Sequence, residues 1–151
     1  MDWRRAAQPG WGRGAPFPCE SRLGRAVAHR ELTAAQAERL SRAQTLWLAT
    51  VKPDITAHLV PVWVVLHEDR LYVGSEPHTQ KVRNIVAHGS AVLALPDPDD
   101  VLIVEGRARV AEPVADGVLT AFRTKYGWEF IPDGQTIVIE VVPTKILGWR
   151  A

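Results

Sequence analysis

A chain of 151 residues with 46% hydrophobic and 23% charged residues has the size and make-up of one globular domain with a tail. No apolar run is long enough to cross a bilayer, and the single cysteine, Cys19, can form neither an internal disulfide nor a familiar zinc pattern; a cytoplasmic protein is expected. The net charge of +1 is uneven, with six arginines against two acids in residues 1–30, so a basic nucleic-acid-binding face is not expected outside that segment.

Residues 1–30 mix Pro, Gly and Arg in a way no regular element favours, and lack the continuous apolar core of a secretory signal; they are expected to form a flexible arm before a domain at 31–151. Thr33-Ala-Ala-Gln36 has capping-box spacing, with Leu32 and Ala37 placed as a staple, and predicts a helix to about Ala43. Thr45–Val51, Ala57–Leu66 and Leu71–Ser75 then read as three strands of an antiparallel meander. The middle run holds Pro61, which belongs at a bulge or an edge; a structural kink and a ligand contact both stand as readings of it.

A second helix opens at Thr79, with Val82, Ile85 and Val86 as its apolar face, Lys81 and Arg83 off that face, and a stop at His88-Gly89. Ala91–Leu95 and Val101–Ala111 predict two strands across a Pro-Asp turn, with Arg107 and Arg109 alternating against Ala108 and Val110. A third helix from Pro113 to near Gly127 and a strand over Thr136–Val142 complete the order. Six strands with inserted helices and no βαβ alternation predict a mainly β (α+β) fold, a six-stranded antiparallel barrel with flanking helices.

The chemistry concentrates between Leu71 and Asn84, where a strand, a small-residue turn and a helix start follow one another. Backbone N–H groups, the positive end of the helix dipole, the Thr79 hydroxyl and the Lys81 ammonium can converge there on one phosphate. The plainer reading is that Thr79 caps a solvated helix. There is no Gly-x-Ser-x-Gly, and His29, His58, His67, His78 and His88 fall at no metal-binding spacing. Asp97, Asp99 and Asp100 lack the calcium-loop pattern and are explained as turn residues, and Gly10–Gly14 has neither the strand nor the helix of a dinucleotide fingerprint. Without a protein nucleophile or a metal, any chemistry has to come from a cofactor.

The succession Leu46-Trp-Leu-Ala-Thr50, His58-Leu-Val-Pro-Val-Trp63, Leu71-Tyr-Val-Gly-Ser75, Thr79-Gln-Lys-Val-Arg-Asn84, Ala91-Val-Leu-Ala-Leu95 and Val104-Glu-Gly-Arg-Ala108 resembles the pyridoxamine 5′-phosphate oxidase-like flavin-binding split-barrel family, in the branch that includes deazaflavin-dependent reductases, over about residues 32–150. The resemblance implies a Greek-key split barrel and a homodimer with the cofactor, FMN or alternatively coenzyme F420, in a groove between subunits. It also implies an oxidoreductase acting on a small conjugated molecule, or a flavin-binding carrier or sensor. Matched residue by residue, it places Thr79, Gln80 and Lys81 on the cofactor phosphate, Pro61, Val62 and Trp63 along the ring, and Gly74 and Ser75 near the ribityl chain. Arg83 and Asn84 match more loosely, and Trp149 matches an aromatic position that closes the groove. The basic residues that grip pyridoxine phosphate in the true oxidases are not recognisable, and Asp54-Ile55 stands where the family's hairpin carries Asp-Gly.

Overall fold

In the computed structural model, which describes residues 29–130 and 134–150, the Thr33–Gln36 capping box forms in full. Thr33 Oγ1 accepts from the Gln36 N–H at 3.2 Å and Gln36 Oε1 accepts from the Thr33 N–H at 3.0 Å, opening α1 (Ala34–Arg42). Leu40 then turns into the core, where Leu32 packs beside it. Of the expected arm only His29 and Arg30 are described, and the Arg30 N–H donates to the Pro143 carbonyl at 2.8 Å; residues 1–28 lie outside the described residues.

The strands are β1 (Leu46–Val51), β2 (Ala57–Val62), β3 (Val64–His67), β4 (Arg70–Ser75), β5 (Ser90–Ala94), β6 (Asp100–Val110) and β7 (Ile137–Arg150). They form one antiparallel sheet in the order β2-β1-β5-β6-β7-β4-β3. Its two edges, β2 and β3, are consecutive in the chain and separated only by Trp63, so the sheet curls until a covalent corner joins its edges. This is the split barrel, with seven strands rather than six because the Ala57–Leu66 run divides at Trp63 and pairs with β1 on one side and β4 on the other. Pro61 lies on edge strand β2, where its missing N–H is tolerated.

The last strand also runs past Val142, the end expected from the sequence, to Arg150. A register shift at Glu105/Gly106 sets Glu105 opposite Lys145 and Gly106 opposite Pro143, so the proline falls at a bulge, where its lack of an N–H does no harm. Gly106 is required there: a Cβ would lie 2.5 Å from the Val142 carbonyl oxygen.

The barrel interior is filled by Leu46, Leu48, Leu71, Val73, Leu93, Leu102, Val104, Ile139 and Val141. Helix α2 (Gln80–His88) plugs it with Val82 and Ile85 and ends on Gly89 at φ 66°. Its inward face differs from expectation: Asn84 is fully buried and Val86 is exposed, because Asn84 Nδ2 donates to the buried Thr50 hydroxyl at 2.9 Å. Helix α3 (Asp116–Tyr126) starts three residues later than expected and packs Val118 and Phe122 on Val65, Tyr72 and Val138. No helix among the described residues is long and apolar enough to cross a membrane.

Glu140 on β7 is a buried carboxylate held by the Arg70 and Arg109 guanidiniums, each at 2.5 Å. In the β1–β2 hairpin, Ile55 adopts φ 70°, a region that costs an L-residue roughly 1–2 kcal/mol and a β-branched one at least that. Asp54 Oδ1 fixes the turn by accepting from the Thr56 N–H at 3.1 Å and hydroxyl at 2.6 Å. Ile55 is 82% exposed, so Ile55→Gly is expected to relieve strain without losing packing. After the entropy cost of glycine the gain is about 1 kcal/mol, a rise of about 2–4 °C in Tm readable by calorimetry.

Candidate functional site

At the barrel corner the chain leaves a cleft of about 480 Å³, within the usual range for ligand sites. One side is the β2 end and corner, Pro61, Val62 and Trp63; another is the β4 end and the turn after it, Gly74, Ser75 and Glu76. Lys81 reaches it from the first turn of α2, and Phe122 and Trp128 close it from the α3 side. Thr45 and Thr136 complete the lining.

The aromatic wall is a chain of ring contacts. Trp63 stacks on Tyr126 with centroids 4.7 Å apart and planes within 1°, yet remains about half exposed, so its other face is open. The Tyr126 hydroxyl accepts from the Val64 N–H at 3.0 Å and reaches the Gln44 carbonyl at 2.9 Å, fixing the ring under Trp63. Lys125 Nζ donates to the Val64 carbonyl at 2.7 Å, and burial pushes its ammonium below the ordinary lysine value. Phe122 meets Trp128 edge-on at 4.9 Å. Gly74 makes this closure possible: a Cβ there would lie 3.1 Å from the Trp128 ring.

The polar wall is the start of α2. Its N-cap, Thr79, makes no side-chain capping bond; the hydroxyl is taken by Ser75 Oγ at 3.0 Å and the Glu76 carbonyl at 3.1 Å. The reading of Thr79 as an ordinary cap is therefore replaced by a helix start whose first-turn N–H groups have no side-chain acceptor. Beside it Lys81 is half-buried, and that burial holds its ammonium below the ordinary lysine value against the opposing pull of Glu76. A cation and unclaimed N–H donors beside an apolar wall suit a phosphorylated, flat-ringed cofactor.

Six of the eleven residues singled out in the sequence line this cleft: Pro61, Val62, Trp63, Gly74, Ser75 and Lys81. Gln80, Arg83 and Asn84 are turned away into one network along α2. Arg83 donates to the His78 carbonyl and Gln80 Oε1, both at 2.7 Å, and Gln80 Nε2 donates to Asn84 Oδ1 at 2.6 Å. Asn84 then holds Thr50, so these side chains fasten the helix to β1, and the Asn84 side chain is shut off from any ligand. Trp149 lies on β7 opposite Val101, exposed on the outer sheet face and away from the cleft of its own chain. Sequence reasoning missed Glu76, Phe122 and Trp128; the i, i+4 spacing of Phe122 and Tyr126 just before Trp128 was the available signal.

The chain belongs to the pyridoxamine 5′-phosphate oxidase family, whose model matches residues 32–150. No curated protein matches it in sequence. Among solved structures, an F420 reductase is similar at 26% identity and a TM-score of 0.62, over 77% of this chain and 98% of that one. The conserved hypothetical protein Rv2991 from Mycobacterium tuberculosis shares the fold at 17% identity and a TM-score of 0.65, over 81% of this chain and 86% of that one. The heme storage protein HutZ from Vibrio cholerae shares it at 14% identity and a TM-score of 0.64, over 79% and 95%.

Proposed function

We propose that the protein is an oxidoreductase that binds FMN or coenzyme F420 in this cleft and exchanges hydride with a small conjugated substrate. The observation that carries the reading is the meeting, in one cleft, of an aromatic wall with an uncapped helix start and a lysine. Lys81 and the first N–H groups of α2 hold the phosphate, Ser75 and Gly74 leave room for the linking chain, and Pro61 to Trp63 orient the ring. The cofactor supplies the hydride chemistry when bound. The chain's own work is to position the ring and, with Phe122 and Trp128, to exclude water from it. A cytoplasmic location fits a chain with a single cysteine.

A non-catalytic carrier or sensor is the second reading. It is favoured by one observation: Glu76 and Lys81 are the only titratable side chains among the described residues lining the cleft, so no dedicated proton donor faces the ring. The absorbance spectrum and mass of the molecule that co-purifies test the cofactor. A flavin or deazaflavin band is expected, and a heme Soret band in its place would sink both readings. Oxidation of the reduced cofactor by a panel of quinones, enones and tetrapyrroles then separates enzyme from carrier.

The reading includes a homodimer. Register places Pro61, Trp47, Ala94, Ile103 and Leu147 side by side across β2, β1, β5, β6 and β7, an apolar row on the outer face, with Trp149 and Leu59 flanking it. Trp47, Leu59 and Trp149 are 40%, 60% and 54% exposed in the single chain, and large apolar side chains grouped on one face mark interaction surfaces. Pro61 belongs both to this row and to the cleft, so a second subunit would abut the cofactor, and its Trp149 is the residue available to close the groove. Trp47→Ala is expected to raise the dimer dissociation constant at least thirtyfold or so, as for a central aromatic anchor worth about 2 kcal/mol, measured by sedimentation equilibrium. Wild-type protein that sediments as a monomer at micromolar concentration with cofactor bound would remove the interface from the site.

A further inference from the structure

The polar end of the cleft pairs its cation with an anion. Among the described residues lining it, Lys81 is the one cation and Glu76 the one carboxylate. Arg83, the next cation along α2, is committed to the His78 carbonyl and to Gln80 Oε1. Glu76 is tethered there, because its carbonyl accepts from the Ser75 hydroxyl at 3.0 Å, the Thr79 hydroxyl at 3.1 Å and the Thr79 N–H at 3.4 Å. Glu76 is exposed and lines the cleft beside the same turn that offers N–H donors to a phosphate. The Lys81 ammonium feels it, since Glu76 opposes the loss of charge that burial favours.

We propose that Glu76 makes the cleft discriminate by phosphate charge, favouring a singly charged phosphodiester over a dianionic phosphomonoester. The inference rests on the reading of the cleft as a phosphorylated-cofactor site, and it selects between the two cofactors. FMN ends in a monoester carrying about −1.5 to −2 charges near neutrality, whereas the phosphate within the side chain of coenzyme F420 is a diester carrying one. With Lys81 and the half-charge of the helix start opposed by Glu76, about half a positive charge remains to attract the ligand. That residue of attraction gains little from the second negative charge, while removing the dianion from water costs more. Glu76 thus repels FMN about twice as strongly, in logarithmic terms, as it repels a diester.

FMN and its phosphate monomethyl ester share ring and ribityl chain and differ in that one charge, so they are the probes. Both, with riboflavin and coenzyme F420, are titrated at pH 8 and low salt into full-length wild-type and Glu76→Gln protein by fluorescence quenching, with Tm as the folding control. Wild type is expected to bind the methyl ester at least as tightly as FMN. In Glu76→Gln, FMN should tighten about tenfold and the ester about threefold, reversing the order, with riboflavin unchanged. Tighter binding of FMN than of the ester by wild type, or an equal effect of the substitution on both, overturns the charge selection while leaving the cofactor site intact. Failure of all three flavins and of coenzyme F420 to bind wild type overturns the site reading, and this inference with it.

Discussion

Lys81→Ala is expected to weaken FMN and coenzyme F420 roughly ten- to hundredfold while leaving riboflavin almost unchanged. Lys81 lines the cleft from the first turn of α2, whereas the helix is anchored by Val82, Ile85 and Asn84 on its other side. Truncation therefore removes a charge from the cleft without opening the core. Hydrogen bonds to charged groups are worth about 1.5–3 kcal/mol, and tenfold in affinity is about 1.4 kcal/mol, which sets the range. Two features locate the effect within it. Half-burial limits solvent screening of the ammonium and pushes the effect up, while Glu76 already offsets part of the charge and pulls it down. Riboflavin is the control because it lacks the phosphate, and a distorted cleft would lose all three ligands together. Equal FMN affinity in the two proteins, at unchanged Tm, would remove Lys81 from the site.

How far the sequence reached depended on whether a signal was local. The Thr33–Gln36 box, the Gly89 and Gly127 stops and the alternation of Arg107 and Arg109 are set within a few residues, and each forms as the spacing implies. The corner at Trp63 was not legible, because Val62 and Val64 are apolar alike and only the choice of partner, β1 or β4, divides the run. The β7 extension was hidden for the opposite reason: Pro143 is a strand breaker by itself and becomes harmless only against the bulge at Gly106, which lies far away in sequence. In the cleft, residues that reach it through the backbone course of β2, β4 and α2 were found. Gln80 and Arg83 do not line it, because a polar side chain on a helix start can face a ligand or its own helix, and here they bond Asn84 and the His78 carbonyl. Asn84 replaced Val86 on the inner face for a similar reason, since its partner Thr50 lies on another strand.

Glu140→Ala is expected to cost the fold about 2–4 kcal/mol, a drop of roughly 4–16 °C in Tm. Glu140 lay unremarked within a strongly apolar strand, yet it is 3% exposed and receives Arg70 Nη1 and Arg109 Nε at 2.5 Å, with the Tyr72 hydroxyl at 3.4 Å. Removing it strands two guanidiniums against β7. They are about half exposed, so water recovers part of the loss, which keeps the cost at or below the usual range for breaking a buried pair. Replacing the cluster with apolar side chains in the triple variant Glu140→Leu, Arg70→Met, Arg109→Met should restore most of the stability, because no charge is then left unpaired. The pH dependence carries a definite sign. Burial by itself would raise the Glu140 carboxyl, but the hydrogen bonds from Arg70 and Arg109 outweigh it and hold the carboxyl below the ordinary glutamate value of about 4.3. The unfolded chain therefore takes up this proton at a higher pH than the folded one. The contribution of Glu140 is complete above that ordinary value and is lost as pH falls through the lower folded value. The gap in Tm between wild type and Glu140→Gln should accordingly be widest at pH 6–7 and narrow steadily below about pH 4. A gap that stays constant from pH 7 to pH 3 would show that the carboxylate charge contributes nothing and that the cluster stabilises only by shape.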